Sequence, residues 1–185
     1  MRLAPLRPHD RGPLNEVLVA TASFAPEEIG VALALFDDVH GYVGRDGCHP
    51  DRGEGPAFAF AVTVDYEFIG AFDDAGELLG YACFGPTPAT DGTFDLYWLA
   101  VHPAAQGRGA GRGLVRWVEQ ELGRRGARLL VVETSSRPDY NATRTFYERG
   151  GYIEAARLRD FYAPADDRII LTTRLMAREV GVATR

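Results

Sequence analysis

Apolar positions along this chain follow two rhythms, and the places where one gives way to the other mark out its elements. The opening "RLAPLRP" reads as a short strand. Residues 12–24 and 26–42 then carry apolar positions at helical spacing. The second run opens with Pro26, Glu27 and Glu28, where proline's fixed φ and negative charge suit a helix start. "GRDGCHPDRGEGP", residues 44–56, is a loop by composition. "AFAFAVTVDYEFIGAF" reads as a strand and "DDAG" as a turn, with "ELLGYACFG" as hairpin partner. "FDLYWLAVHP" is a further strand, ending at Pro103. The next helix puts Leu114, Trp117, Val118 and Leu122 on one face and stops near Gly126. "ARLLVVETSS" is strand, "YNATRTFYERG" a short helix, and "YIEAARLRDFY" with "DRIILTTRL" two closing strands. The order β-α-α-β-β-β-α-β-α-β-β predicts an α/β (α+β) sandwich around a mixed sheet, as one domain over residues 1–185.

Composition narrows the function classes. A net charge of −6 opposes a nucleic-acid binder, and the arginine-rich "GRGAGRGLVR" interleaves apolar residues that belong to a core helix. All 20 basic residues are Arg, so Schiff-base and phosphate-loop lysines are excluded. Two cysteines, Cys48 and Cys83, cannot build a disulfide framework, and Cys83 sits in an apolar strand as a core residue. His40 and Cys48-His49 read as solvated loop rather than metal ligands, because no second ligand cluster follows. The N-terminal stretch lacks the apolar core of a signal peptide and no run is long enough to cross a bilayer, so a cytoplasmic protein is expected, without membrane association.

The chemistry concentrates in "HPAAQGRGAGRG", residues 102–113, between a strand and a helix. Glycines there let a ligand approach the backbone, and the amides and dipole of a helix start favour an anion. A Walker loop needs a lysine this chain lacks. The dinucleotide fingerprint fails because Arg112 or Leu114 falls at its last glycine. A tight turn packed on its helix is the plain alternative.

Gln106-Gly107-Arg108-Gly109-Ala110-Gly111 fits [QR]-x-x-G-x-[GA], the acyl-CoA motif of the GNAT superfamily of N-acetyltransferases. The preceding "LAVHP" and the later "LLVVETSSRPDYNATRTFYERGGY" also resemble that family in order and spacing, from Phe94 to Tyr152 and more loosely from Leu3 to Leu175. The resemblance implies the GNAT fold, a mixed, mostly antiparallel twisted sheet of about six to seven strands flanked by about four helices. It implies an acetyl-CoA-binding core near residues 94–152 and acceptor-side elements near 12–72 and 157–175. Acetyl-CoA would be the co-substrate, with no metal.

Residue by residue, the resemblance implies that Leu99, Ala100 and Val101 present backbone to pantetheine. Amides of Gly107, Arg108, Gly109, Ala110, Gly111 and Arg112 would hold the pyrophosphate. Tyr147 stands where the family commonly has a tyrosine beside the thioester sulfur. The family's Asn seven residues earlier is Tyr140 here, with Asn141 one step late. Helical geometry suggests Tyr140, Arg144 and Tyr147 lining the cleft together, with Ala142 and Phe146 turned to the core.

Acetylating an amine requires a base, since a primary ammonium has a pKa of about 10.4. Glu133 ends the apolar run "LLVVE", on the face of Leu129 and Val131, where a buried carboxylate needs work or a partner. It matches the Glu of the branch that acetylates ribosomal-protein N-termini. Asp95 matches the base of the histone-acetylating branch, and alternation puts it on a face with Tyr97, Leu99 and Val101. Direct transfer in a ternary complex follows, since no catalytic Cys is evident. Aspartates and aromatics in "FDDVHGY", "TVDYEF" and "DFYAPADD" suit a small cationic amine or a peptide N-terminus. A homodimer is compatible with this reading. The rival is a non-catalytic acyl-CoA-binding regulatory module.

Overall fold

The computed structural model describes residues 1–41 and 66–175. The 44–56 loop, the expected strand residues 57–65, Cys48 and His49 lie outside them. Seven strands and four α-helices follow the expected order. β1 (Arg2–Pro5) leads to α1 (Arg11–Thr21) and α2 (Pro26–His40). β2 (Glu67–Phe72), β3 (Leu78–Pro86) and β4 (Thr93–Val101) come next. Then follow α3 (Ala110–Arg124), β5 (Leu129–Ser135), α4 (Asn141–Arg149), β6 (Ile153–Ala163) and β7 (Asp166–Arg174). The strands lie side by side as β1-β2-β3-β4-β5-β7-β6, every pair antiparallel except β4 with β5.

Helices cover both faces. α3 buries Ala110, Leu114, Val115, Val118 and Leu122, one apolar stripe, against Ile69, Phe84, Leu96, Leu130 and Val132. Tyr147 of α4 joins this cluster. On the opposite face Leu14, Val17 and Leu18 of α1 and Phe36 of α2 pack with Phe68, Tyr81, Cys83 and Ala100. α1 ends three residues earlier than its sequence suggests, because Ala22 turns left-handed (φ 51°) and caps it. His40 is not a solvated loop residue. It ends α2, with its ring on Phe36 and its nitrogens 2.8 Å from the Phe36 carbonyl and 3.1 Å from that of Leu6.

Candidate active site

β4 and β5 begin side by side and then part. They pair only from Thr93↔Leu129 to Leu96↔Val132. Beyond that β4 runs on to Val101 bonded to β3, and β5 runs on to Ser135 bonded to β7. Between them the sheet opens as a wedge. Among the described residues no strand occupies the facing edge of Tyr97–Val101, so its backbone groups, apart from the Val101 carbonyl that Gln106 takes, can pair with an extended guest. Leu99, Ala100 and Val101 lie in this stretch of β4 that has no β5 partner.

The glycine stretch sits at the end of this edge. Gln106 folds back, its side-chain amide donating to the Val101 carbonyl at 3.1 Å. Gly107 and Gly109 adopt φ of 71° and 92°, and a Cβ on either would meet open space, so what glycine supplies there is backbone conformation. Gly109 caps α3 and its carbonyl accepts from Gly113 N–H at 2.9 Å. Among the described residues none of the six amides from Gly107 to Arg112 donates to protein. Arg108 and Arg112 are exposed and make no ion pair among those residues. Six amides at a helix start that donate to no protein acceptor, flanked by two cations without an ion pair, have the donors and charge that suit an anionic group.

The two carboxylates face the α1–α2 side, Glu133 with Leu129 and Val131 as alternation predicts, Asp95 in different company from the one alternation predicts. Cys83 pairs with Trp98 and Phe84 with Leu96, so Tyr97 is an extra residue in β4, a bulge. The bulge resets the alternation. Leu96, Leu99 and Val101 pack toward α3, whereas Tyr97, Trp98 and Ala100 pack toward α1 and α2. Asp95 therefore shares a face with Tyr97 and not with Leu99 or Val101. Its Oδ2 accepts from the Thr87 hydroxyl at 2.6 Å and the Tyr97 hydroxyl at 3.5 Å. Burial first, and Asp95 second, push the Tyr97 hydroxyl's pKa far up. Tyr66 meets the Tyr97 ring edge-on at 5.1 Å.

Glu133 is exposed rather than buried at the strand end, and it has a partner, the Arg168 guanidinium. That guanidinium lies 4.8 Å from the centre of the Phe161 ring. Sequence reading missed Arg168, whose only signal was its place in "DDRIIL" opposite the glutamate strand. Phe161 and Tyr162 stand exposed on edge strand β6, where four residues of β6 face one of β7 between Leu158↔Arg168 and Ala163↔Asp166.

The α4 residues do not share one cleft-lining face. Tyr147 is 3% exposed, packed edge-on against Phe146 and Tyr152, and burial pushes its hydroxyl's pKa far up. The Tyr140 hydroxyl donates to the Ser23 carbonyl at 3.2 Å, toward the α1–α2 turn. Arg144 donates to the carbonyls of Ser135 and Arg137 and to Asn141 Oδ1, so it ties down the β5–α4 connection. Ala142 is exposed, not core. Cys83 is fully buried and its thiol pKa is pushed far up by burial, as suits a packing residue.

Comparison with known proteins agrees with this fold. The sequence model of the acetyltransferase (GNAT) domain matches residues 64–154. A GNAT-family protein from Desulfovibrio desulfuricans is 39% identical over 94% of this chain and 99% of its own, with a TM-score of 0.78. The ribosomal-protein-S18-alanine N-acetyltransferase of Escherichia coli shares the fold at 18% identity, 99% coverage of both chains and a TM-score of 0.68. So does an aminoglycoside 6′-N-acetyltransferase complexed with coenzyme A, at 15% identity, 96% and 99% coverage, and a TM-score of 0.65. No curated protein matches the chain in sequence. A parted β4–β5 pair, a glycine-started helix beside it and a relative alike over nearly its whole length lead to one conclusion: the chain belongs to the GNAT family of acetyltransferases.

Proposed function

We propose that this protein moves an acetyl group from acetyl-CoA directly to a primary amine, in a ternary complex built on the wedge between β4 and β5. The observation that carries the reading is the wedge itself, with a stretch of β4 edge that has no partner strand running into six free amides. Amides of Gly107–Arg112 hold the pyrophosphate, with Arg108 and Arg112 beside it, and the edge of Leu99–Val101 pairs with the pantetheine amides. The acceptor approaches from the α1–α2 face, where Glu133 and Asp95 both stand.

Glu133 is the base we assign, since its exposed carboxylate can exchange a proton with water and with an incoming ammonium. As the nitrogen bonds to the acyl carbon and the C–S bond breaks, the ammonium gives up two protons. One leaves through Glu133 to solvent and the other goes to the departing sulfur. Tyr147 lies on the opposite, α3 side of the sheet. Its raised pKa keeps the hydroxyl protonated, the form able to donate to a thiolate. Asp95, Tyr66, Tyr97 and, through its field at Tyr66, Asp38 give the acceptor side the negative and aromatic character that suits a cationic small molecule or a peptide N-terminus.

A thiol-release assay over polyamines, amino acids, aminoglycosides and N-terminal peptides tests this. At least one amine is expected to give turnover above background hydrolysis. Tight acetyl-CoA binding with no turnover across the panel would instead make the chain an acyl-CoA-binding regulatory module.

A further inference from the structure

Three buried side-chain atoms have no hydrogen-bond partner among the described residues: Tyr81 Oη, Arg168 Nε and Thr134 Oγ1. Tyr81 belongs to the cluster under α1 and α2, and Arg168 spends another nitrogen on Glu133. Thr134 is different. It lies two residues past Val132, the last residue of β5 that pairs with β4, so it stands in the wall of the wedge. It follows Leu130 and Val132 on the face turned toward α3 and Tyr147.

Its neighbours make the orphan stand out. From Glu133 to Asn141, every other side chain able to hydrogen-bond has a partner. Glu133 takes Arg168, Ser135 donates to Asp166, Ser136 accepts from the Asp167 amide, and Arg137 pairs with Asp139. Tyr140 donates to Ser23, and Asn141 accepts from Arg144. The two residues nearest the place where the family keeps its pantetheine-binding asparagine are thus engaged elsewhere. A shielded hydroxyl without a protein partner is destabilising, a penalty that valine, of the same shape, would avoid.

We propose that Thr134 Oγ1 is a specificity contact for the amide- and thioester-bearing arm of acyl-CoA, taking the part that Tyr140 and Asn141 do not play. The assignment rests on the acetyl-CoA reading above. One χ1 rotation exchanges a threonine's methyl and hydroxyl, so the side chain turns its oxygen toward the wedge when the arm fills it. The arm's amides and carbonyls are the complementary groups.

The test uses the full chain and the variants Thr134→Val and Thr134→Ser. Two readouts are needed: the melting temperature of the free protein, and calorimetric affinities for coenzyme A and for adenosine 3′,5′-bisphosphate, which lacks the arm. Thr134→Val is expected to raise the free protein's melting temperature by about 2–4 °C, as an orphan donor is removed. It is also expected to weaken coenzyme A binding about five- to tenfold while leaving the bisphosphate unchanged. Thr134→Ser is expected to keep wild-type affinity for both. Wild-type coenzyme A affinity in Thr134→Val overturns the proposal, and so does equal weakening of both ligands, which means general disturbance. A wild-type protein that binds no coenzyme A brings down the acetyl-CoA reading and this contact with it, an outcome visible before any variant is made.

Discussion

Glu133 and Arg168 meet diagonally across the β5–β7 ladder, since Glu133 stands opposite Ile170 and Arg168 opposite Ser135. Diagonal neighbours lie within reach of long side chains. The ion pair is partly solvated, so it contributes little to stability, and its consequence is where it fixes the carboxylate: on the α1–α2 face, beside the opening of the wedge.

Glu133→Gln keeps an oxygen for Arg168 and removes the proposed base. The acetylation rate at neutral pH is expected to fall about a hundredfold or more, with stability changed by less than about 1 kcal/mol. Part of the loss returns as pH rises, because a larger share of the amine is then already neutral. Asp95→Asn is expected to alter acceptor KM more than kcat. The reverse pattern, Glu133→Gln active and Asp95→Asn dead, would move the base to Asp95.

The two motif glycines are expected to respond differently. Gly109→Val forces a branched side chain into φ 92° and disrupts the α3 cap, so both the melting temperature and its rise with acetyl-CoA should drop. A Cβ on Gly111 would sit 3.4 Å from Val101 Cγ2, an ordinary contact, so Gly111→Ala should keep the fold and most of the shift. Thermal melts with and without acetyl-CoA separate the two.

Cys83 is expected to resist alkylation in the folded protein, since its thiol is buried and its ionisation suppressed. Mass spectrometry of a Cys48→Ser variant treated with iodoacetamide should show modification only after denaturation. Cys83→Ala should still turn over acetyl-CoA, which a thiol relay would not survive.

Glu119 supplies a pH signature. Burial raises its pKa from 4.5, opposed by the Tyr152 hydroxyl's donation and the nearby Arg116. A carboxyl that holds its proton more tightly when folded penalises folding as pH climbs past its unfolded value. Glu119→Gln should therefore melt higher than wild type at neutral pH, and the gap should close below about pH 4.5, where both states carry the proton. A lower melting point at neutral pH would show that Tyr152 and Arg116 outweigh the burial.

The element order was legible because each apolar run kept its period long enough to be read, from the α3 stripe to the β5–β7 strands. The glycine stretch was legible because backbone chemistry of that kind needs particular residues in sequence. The bulge at Tyr97 was not: one extra residue leaves no mark on composition, yet it turned Leu99 and Val101 away from Asp95. The Arg168 contact and the separate fates of Tyr140, Arg144 and Tyr147 depend on cross-strand and loop neighbours far apart in sequence, which local patterns do not encode.

The parting of β4 and β5 has a mechanical side. Strands β1–β4 and β5–β7 are two antiparallel sheets stitched by four residue pairs, and those pairs are parallel, the slightly weaker kind. The seam is where the molecule should yield first. A guest lying along the Tyr97–Val101 edge adds stitches that the chain does not provide for itself. Amide hydrogen exchange along the seam should then slow when coenzyme A is present, while the outer ladders β1–β2 and β6–β7 keep their own pace.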